Sequence, residues 1–335
     1  MKRAIALAAA LATLVVAPDA SAQNPAPVPP PPAPAPAPPP PAPVPPPPVA
    51  ATLSISLAGV HRAGKDVFVL GGGRWQVRGR LAPFVDGQQF VVRLYRGSRK
   101  VAARRVSAKA ASFSASFRTN GPGSLTVKVS HRATPQLATV RAKPLRLSVY
   151  RPAARAGSRG PVVRLLQAGL DQMKYAVPRT GVYDTMTAHA VMAYRKVNGM
   201  PRTPGAPAGL VRDVLAGRGA FRPRHRDAGR HMEADLSRQV LALVDGRRLV
   251  RAYSTSTGKS STPTVLGTFR VYRKTPGTNS LGMVDSSYFI RGYAVHGYAS
   301  VPVFAASHGC LRIPIPNART VFNWLRGGDR VIIYN

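Results

Sequence analysis

From Thr52 to Tyr150, apolar residues recur at every second position. Leu53, Ile55 and Leu57 alternate with serines, Trp75 and Val77 with polar residues, and Phe90, Val92 and Leu94 follow the same rule. The pattern returns at Phe113, Ala115 and Phe117, at Leu125, Val127 and Val129, and at Leu145, Leu147 and Val149. Successive side chains of a strand point to opposite faces, so each run describes a half-buried strand. The breaks fall at Gly71-Gly72-Gly73, Asp86-Gly87, Asn120-Gly121-Pro122-Gly123 and Pro135, all rich in turn formers. Short period-two strands at these intervals predict an antiparallel β-sandwich of immunoglobulin-like type over 51–150. It holds no cluster with catalytic chemistry.

At Ala156 the period changes. Val162, Val163, Leu165, Leu166, Leu170 and Met173 fall on one helical face, and a turn near Pro178-Arg179-Thr180-Gly181 follows. Asp184 or Thr185 then caps a second helix that carries Ala188, Val191, Met192 and Tyr194. This predicts a small amphipathic helical module over 155–220. Phe221 to Arg230 is polar and basic and reads as a linker. Beyond it, over 230–335, strands return. Gln239–Val244 and Leu249–Ser254 flank a turn at Asp245-Gly246, Gly267–Tyr272 opens another strand, and Val331-Ile332-Ile333 closes the series. One helix starts near Pro316-Asn317, carries Val321, Phe322, Trp324 and Leu325, and ends at Gly327-Gly328-Asp329. The chain is therefore multidomain, with a mostly-β C-terminal domain.

The first fifty residues carry neither period. Lys2 and Arg3 precede an apolar run from Ala4 to Ala17, and Ala20-Ser21-Ala22 fits a small-x-small cleavage site, so 1–22 reads as a secretory signal peptide. No cysteine follows the run, which argues against a lipoprotein anchor. Residues 23–50 are almost wholly Pro, Ala and Val, a disordered linker of polyproline type. Its core, Pro25 to Val49, would reach roughly 70 Å when extended. Export through this signal leaves membrane contact only through the segment itself, if it is uncleaved.

Charge narrows the partners. The 335 residues hold 48 Lys+Arg against 12 Asp+Glu, a formal net charge of +36. Nucleic acid is the first partner such a balance suggests. The basic residues are scattered through the folded segments instead of gathered in a tail, and no zinc-finger or RNA-recognition spacing occurs. No nucleic acid is expected, and an anionic polymer of the cell envelope is the better match.

The candidate chemistry lies in Ala294–Pro314. Cys310 is the single cysteine of the chain, so it forms no internal disulfide. A thiol has a pKa of about 8.5 and attacks as its thiolate, which calls for a base. His296 and His308 both lie close in sequence. Gly309 lets the backbone approach a substrate, and amides around Gly309 and Cys310 can face an oxyanion. A lone cysteine is most often a small buried hydrophobe, but Ser307-His308-Gly309-Cys310-Leu311-Arg312 is poor core material. His225 and His231 suggest no metal, since His231-Met232-Glu233 lacks the His-Glu-x-x-His spacing. They read as solvated histidines.

His296-Gly297 followed by Ser307-His308-Gly309-Cys310-Leu311-Arg312 resembles the signature of the L,D-transpeptidase catalytic domain, the YkuD-like family. Thr262-Pro263 followed by Gly267-Thr268-Phe269 is similar to its upstream strand motif, with Val265 where a second proline is frequent. In the helical module, Val163-x-x-Leu166-Gln167-x-x-Leu170, Gly181-x-Tyr183-Asp184 and Thr187-Ala188-x-Ala190-Val191-x-x-Tyr194 resemble the three-helix peptidoglycan-binding domain of the PG_binding_1 type. Arg195-Lys196 and Lys174 depart from that pattern, so no ligand contacts are assigned there.

The resemblance implies Cys310 as nucleophile and His296 as proton acceptor, oriented by the Gly297 carbonyl. His308 is the rival base, with a shaping or substrate-polarising role as the preferred reading. Ser307 would fix the loop, Arg312 would hold the loop or meet a substrate carboxylate, and Tyr293 and Tyr298 would line the cleft or be buried. The implied reaction is acyl transfer on peptidoglycan stem peptides through a Cys310 thioester, with D-alanine released and a 3→3 cross-link formed, without metal or cofactor. Water as acceptor would make it an L,D-carboxypeptidase, and a protein amine an attachment enzyme. The implied location is secreted or cell-envelope. Two other classes compete: a zinc D,D-peptidase, for which His296 and His308 lack an acidic partner, and a non-catalytic wall-binding protein with an incidental thiol.

Overall fold

The computed structural model describes residue 28 and residues 44–335. The signal segment at 1–22 lies outside the described residues, as does most of the linker at 23–50.

Residues 52–150 form a β-rich region of two sheets. Its strands are β1 (Thr52–Ala58), β2 (His61–Ala63), β3 (Asp66–Leu70), β4 (Arg74–Ala82), β5 (Gln89–Arg96), β6 (Arg99–Ser107), β7 (Ser112–Arg118), β8 (Gly123–His131), β9 (Val140–Arg141) and β10 (Leu145–Tyr150). One sheet has the order β1-β4-β7, and the other β2-β3-β10-β8-β5-β6, with β9 added to β8. The alternating residues meet between the sheets, where Trp75, Val77, Phe90, Val92, Leu94, Leu125 and Val127 are all but sealed from solvent. β3 and β10 pair in the parallel sense, a departure from the expected all-antiparallel arrangement. β6 carries no apolar alternation because it is an exposed edge strand.

Three helices follow: α1 (Pro161–Gln172), α2 (Thr185–Val197) and α3 (Ala208–Leu215). Pro161 opens α1, where its missing N–H costs nothing. Asp184 caps α2, its Oδ1 accepting from the Thr187 amide at 2.7 Å. α1 and α3 cross closely, since a Cβ on Gly169 would stand 2.7 Å from a Val214 methyl.

The C-terminal segment comprises β11 (Arg230–Asp235), β12 (Val240–Asp245), β13 (Arg248–Ser254), β14 (Gly267–Arg270), β15 (Arg273–Thr278), β16 (Val284–Ile290), β17 (Tyr293–Tyr298), β18 (Leu311–Pro314), α4 (Ile315–Trp324) and β19 (Arg330–Tyr334). A five-stranded sheet, β13-β12-β11-β19-β14, packs against a four-stranded sheet, β15-β16-β17-β18. Met232, Leu241, Leu243, Val295, Leu311, Ile313 and Val331 fill the space between, with Val321 of α4 and Leu325 just after it.

The helices join this unit directly. Val240, Ala242, Val244 and Ala252, on the other face of the five-stranded sheet, share one apolar core with α1, α2 and α3. Segment 174–176 runs along β13, with the Ala252 amide donating to Lys174 O at 2.8 Å and the Ala176 amide to Ala252 O at 3.0 Å. Arg251 and Asp171 close the joint at 2.7 Å.

His231 corrects an expectation. It is not solvated but fully buried, with Nδ1 against Gly229 O at 2.7 Å and Nε2 against Glu233 Oε1 at 3.1 Å. It lies on β11, a central strand flanked by β12 and β19, and the 221–225 segment folds over it instead of spanning open solvent. The Arg224 and His225 amides donate to Glu233, and Phe221 is buried. Burial pushes the Glu233 carboxyl up, but hydrogen bonds from His231, these two amides and Tyr334 hold it below its usual range.

Candidate active site

β17 and β18 run parallel, with Val295 opposite Leu311, His296 opposite Arg312 and Gly297 opposite Ile313. Alternation then sorts the residues. Val295, Leu311 and Ile313 face the core. Ala294, His296 and Tyr298 face the other way, and so do Cys310 and Arg312. The chemistry of the motif thus lies on one side of two neighbouring strands. Gly297 faces α4, where a Cβ would meet Ala318 Cβ at 2.6 Å. That close packing explains why glycine must follow the histidine.

His296 is buried, and its Nδ1 contacts its own neighbour's carbonyl, Gly297 O, at 2.9 Å. A carbonyl only accepts, so Nδ1 carries the proton and Nε2 keeps its lone pair. Burial pushes the imidazole down to about 4, against the Gly297 hydrogen bond that raises it, and the Arg312 cation lowers it further. Tyr298 packs edge-on to the ring at 5.6 Å, and the Arg312 guanidinium lies 4.1 Å from the centre of the Tyr298 ring. Among the described residues, that guanidinium has no carboxylate partner.

Cys310 is half-buried beside Met283, Tyr288 and Ala294. Its Sγ lies 3.7 Å from Gly292 O, and among the described residues no hydrogen bond joins it to either histidine ring. Burial pushes the thiol up, against a backbone hydrogen bond from Ala294 and the Arg312 charge. With the imidazole lowered and the thiol raised, the resting pair is neutral and not a preformed ion pair.

The loop before Cys310 is held on every side. Ser307 is buried, its Oγ donating to Cys310 O at 2.6 Å and accepting from the Gly309 amide at 3.0 Å. The Gly309 amide is therefore occupied, and it is not free to meet an oxyanion as the sequence suggested. Gly309 has φ +114°, and a Cβ there would fall inside the Tyr293 ring. His308 is exposed.

Hydroxyl-bearing residues upstream hold the 307–312 segment from its other side. Ser256 exchanges backbone hydrogen bonds with Arg312 at 3.0 and 3.1 Å, and Thr255 Oγ1 donates to Arg312 O at 2.7 Å. The Ser307 amide donates to Thr257 O at 2.9 Å, and Thr264 Oγ1 to Gly309 O at 2.8 Å. Behind them, Lys196 of α2 enters the C-terminal unit. Its Nζ donates to Ser254 Oγ at 2.9 Å, Thr255 O at 2.8 Å and Gln239 O at 3.2 Å. Sequence reasoning gave Thr255, Ser256, Thr257 and Thr264 no role and took Lys196 only as a departure in the helical module. The available signal was the density of hydroxyls in a strand-rich segment, and a lysine on a helix otherwise buried nearly all round.

Comparison with known proteins places the two C-terminal modules in families. Residues 229–333 match the YkuD family, the L,D-transpeptidase catalytic domain, and residues 159–205 match the PG_binding_1 peptidoglycan binding domain. The crystal structure of an L,D-transpeptidase (residues 123–326) from Xylanimonas cellulosilytica is 31% identical, over 54% of this chain and 97% of that one, with a TM-score of 0.50. The chain belongs to the L,D-transpeptidase family. An L,D-transpeptidase from Stackebrandtia nassauensis shares 17% identity over 54% of this chain and 95% of its own, with a TM-score of 0.34. One from Mycobacterium tuberculosis shares 20% over 32% and 58%, with a TM-score of 0.30. No curated protein matches.

For this L,D-transpeptidase-family chain, the two matched domains imply peptidoglycan as the substrate and the cell envelope as the place of work. α3 lies beyond the residues matched to the peptidoglycan binding domain. Among the described residues no helix is long and apolar enough to cross a membrane.

Proposed function

We propose that the chain is an exported L,D-transpeptidase in which Cys310 is the nucleophile and His296 the base. The observation that carries this reading is the shared face of β17 and β18. It presents the thiol and an imidazole whose tautomer is set by Gly297 O. When a stem peptide binds, His296 Nε2 takes the thiol proton as sulfur attacks the carbonyl of the third, L-configured residue. The tetrahedral oxyanion meets the amides of His308 and Cys310, because the Gly309 amide is engaged. The C–N bond then breaks, the imidazolium gives its proton to the departing D-alanine amine, and a thioester remains. In the second half, the side-chain amine of another stem peptide attacks the thioester. His296 takes the amine's proton and returns it to sulfur, leaving an amide cross-link of 3→3 type.

The other groups have supporting roles. Arg312, stacked on Tyr298, offers its guanidinium to a substrate carboxylate. Ser307 and Gly309 fix the loop, and His308 polarises or shapes the substrate from the exposed side. We read 1–22 as the export signal, 23–50 as a tether, 51–150 as an immunoglobulin-like sandwich, 155–220 as the wall-binding module and 230–335 as the catalytic domain.

The test is incubation of the purified protein with a tetrapeptide muropeptide, alone and with an acceptor stem, followed by product analysis. Cross-linked dimer and free D-alanine support the reading. Release of tripeptide product alone would instead make the enzyme a carboxypeptidase. A chelator that abolishes turnover while Cys310→Ala retains it would favour zinc chemistry and overturn the proposal.

A further inference from the structure

The β-rich region carries a second surface that acyl transfer does not use. Residues 51–150 hold eighteen Lys and Arg, with Asp66 and Asp86 as the only acids in that segment, and among the described residues none of these forms an ion pair. The outer face of the β1-β4-β7 sheet arranges part of this charge in rows. Along β4 the outward residues are Arg74, Gln76, Arg78 and Arg80. Register puts Arg80 between Ser54 and Ser112, Arg78 between Ser56 and Ser114, and Gln76 beside Ser116. The outward side chains thus form a line of guanidinium groups bordered by two columns of hydroxyls, without a carboxylate or an aromatic ring among them.

Two features suggest that this array meets an anion. Arg74 stands directly opposite Arg118, an arrangement that costs stability unless negative charge lies above it. Beside β7, the face opens into a cavity of about 480 Å³ lined by Arg78, Gly79, Ser107, Lys109, Ser112, Phe113 and Ser114, which extends the same basic and hydroxyl chemistry into a concave site.

The spacing selects the ligand. Alternate residues on a strand are about 6.7 Å apart, close to the repeat of an extended phosphodiester chain. Single-stranded nucleic acid shares that repeat, but its recognition needs exposed aromatic side chains for base stacking, and the one ring that lines the cavity, Phe113, is buried and stacked on Phe90. Serine columns instead suit a backbone that carries hydroxyl groups. We propose that the outer face of the β1-β4-β7 sheet binds an extended polyol-phosphate polymer of the cell envelope. Guanidinium groups of β4 meet successive phosphates, and the flanking serines meet the polyol hydroxyls. This goes beyond the acyl-transfer reading and does not depend on it.

The experiment measures binding of a synthetic poly(glycerol phosphate) of about eight repeats to the full chain, over a range of salt concentrations and with no stem peptide present. Arg78→Ser/Arg80→Ser is compared with Arg99→Ser/Lys100→Ser, which removes the same charge from exposed positions on β6 in the other sheet. The β4 variant should lose at least tenfold in affinity, and the slope of log K against log salt should fall by about two, one per phosphate contact. The β6 variant should lose less than threefold. Equal losses in the two variants would show that diffuse charge, not this face, does the binding. No binding at low salt would also overturn the proposal, and so would tighter binding of single-stranded DNA with the same number of phosphates.

Discussion

Lys196 offers a test of whether the helical module is a structural part of the catalytic unit. The side chain leaves α2, is 3% exposed, and donates to three oxygens of the segment that flanks the Cys310 loop. Burial and the Arg202 charge pull its ammonium from the ordinary 10.5 to about 7. The unfolded chain therefore binds the proton more tightly than the folded one. Stability rises with pH from about 7 to about 10.5, by an amount on the order of 5 kcal/mol. Lys196→Met keeps length and apolar volume but removes both the charge and the donors. Below pH 7 the gain from not burying an ammonium offsets the loss of three hydrogen bonds at about 1 kcal/mol each. Toward pH 10 the folded wild-type side chain is neutral and the unfolded one nearly ready to lose its proton, so most of that gain is gone and the loss dominates. Urea unfolding at pH 6, 8 and 10 should show the variant near or above wild type at pH 6 and clearly below it at pH 10. The rate of Cys310 acylation at pH 8 should fall several-fold as the 254–257 segment loosens. Parallel stability curves for the two proteins across this range would refute the reasoning.

Other predictions concern the loop itself. Gly309→Ala places a methyl in the Tyr293 ring at a left-handed φ, so acylation should drop by more than a hundredfold, and retention of activity would contradict the packing. Ser307→Ala strips a partner from both the Gly309 amide and Cys310 O, and should cost about 1–3 kcal/mol in unfolding free energy along with a slower acylation rate. The pH profile of acylation follows from the two displaced groups. His296 stays neutral until pH falls to about 4, so the acid limb should lie near 4 instead of near 6.5. The alkaline limb should lie above the usual thiol range, as burial of Cys310 requires.

Much of this architecture was visible as periodicity. The inward residues of β1, β4, β5, β7, β8 and β10 are those that alternate in the sequence, and the Asp245-Gly246 turn lies between β12 and β13. β3 and β6 escaped notice for opposite reasons: Phe68-Val69-Leu70 is buried without alternation, and β6 is an edge with hardly any burial. His231 was misread because a basic, proline-containing run suggested solvent, whereas Glu233 supplies a buried acceptor two residues on and the 221–225 segment covers both. The motif around Cys310 was legible as residue types. Its hydrogen bonds were not, because the Gly309 amide could donate to Ser307 or to a substrate, and only the folded backbone chooses. The role of Lys196 was out of reach for the same reason, since it depends on which face of the sheet receives the helices.

The central claim is that one sulfur carries the acyl group. Intact-mass spectrometry after brief exposure to a tetrapeptide muropeptide, followed by peptide mapping, addresses it directly. The account predicts an adduct equal to the donor minus D-alanine, mapped to Cys310, absent in Cys310→Ser, strongly reduced in His296→Ala and less so in His308→Ala. An adduct on another residue, or turnover that persists in Cys310→Ser, would contradict it.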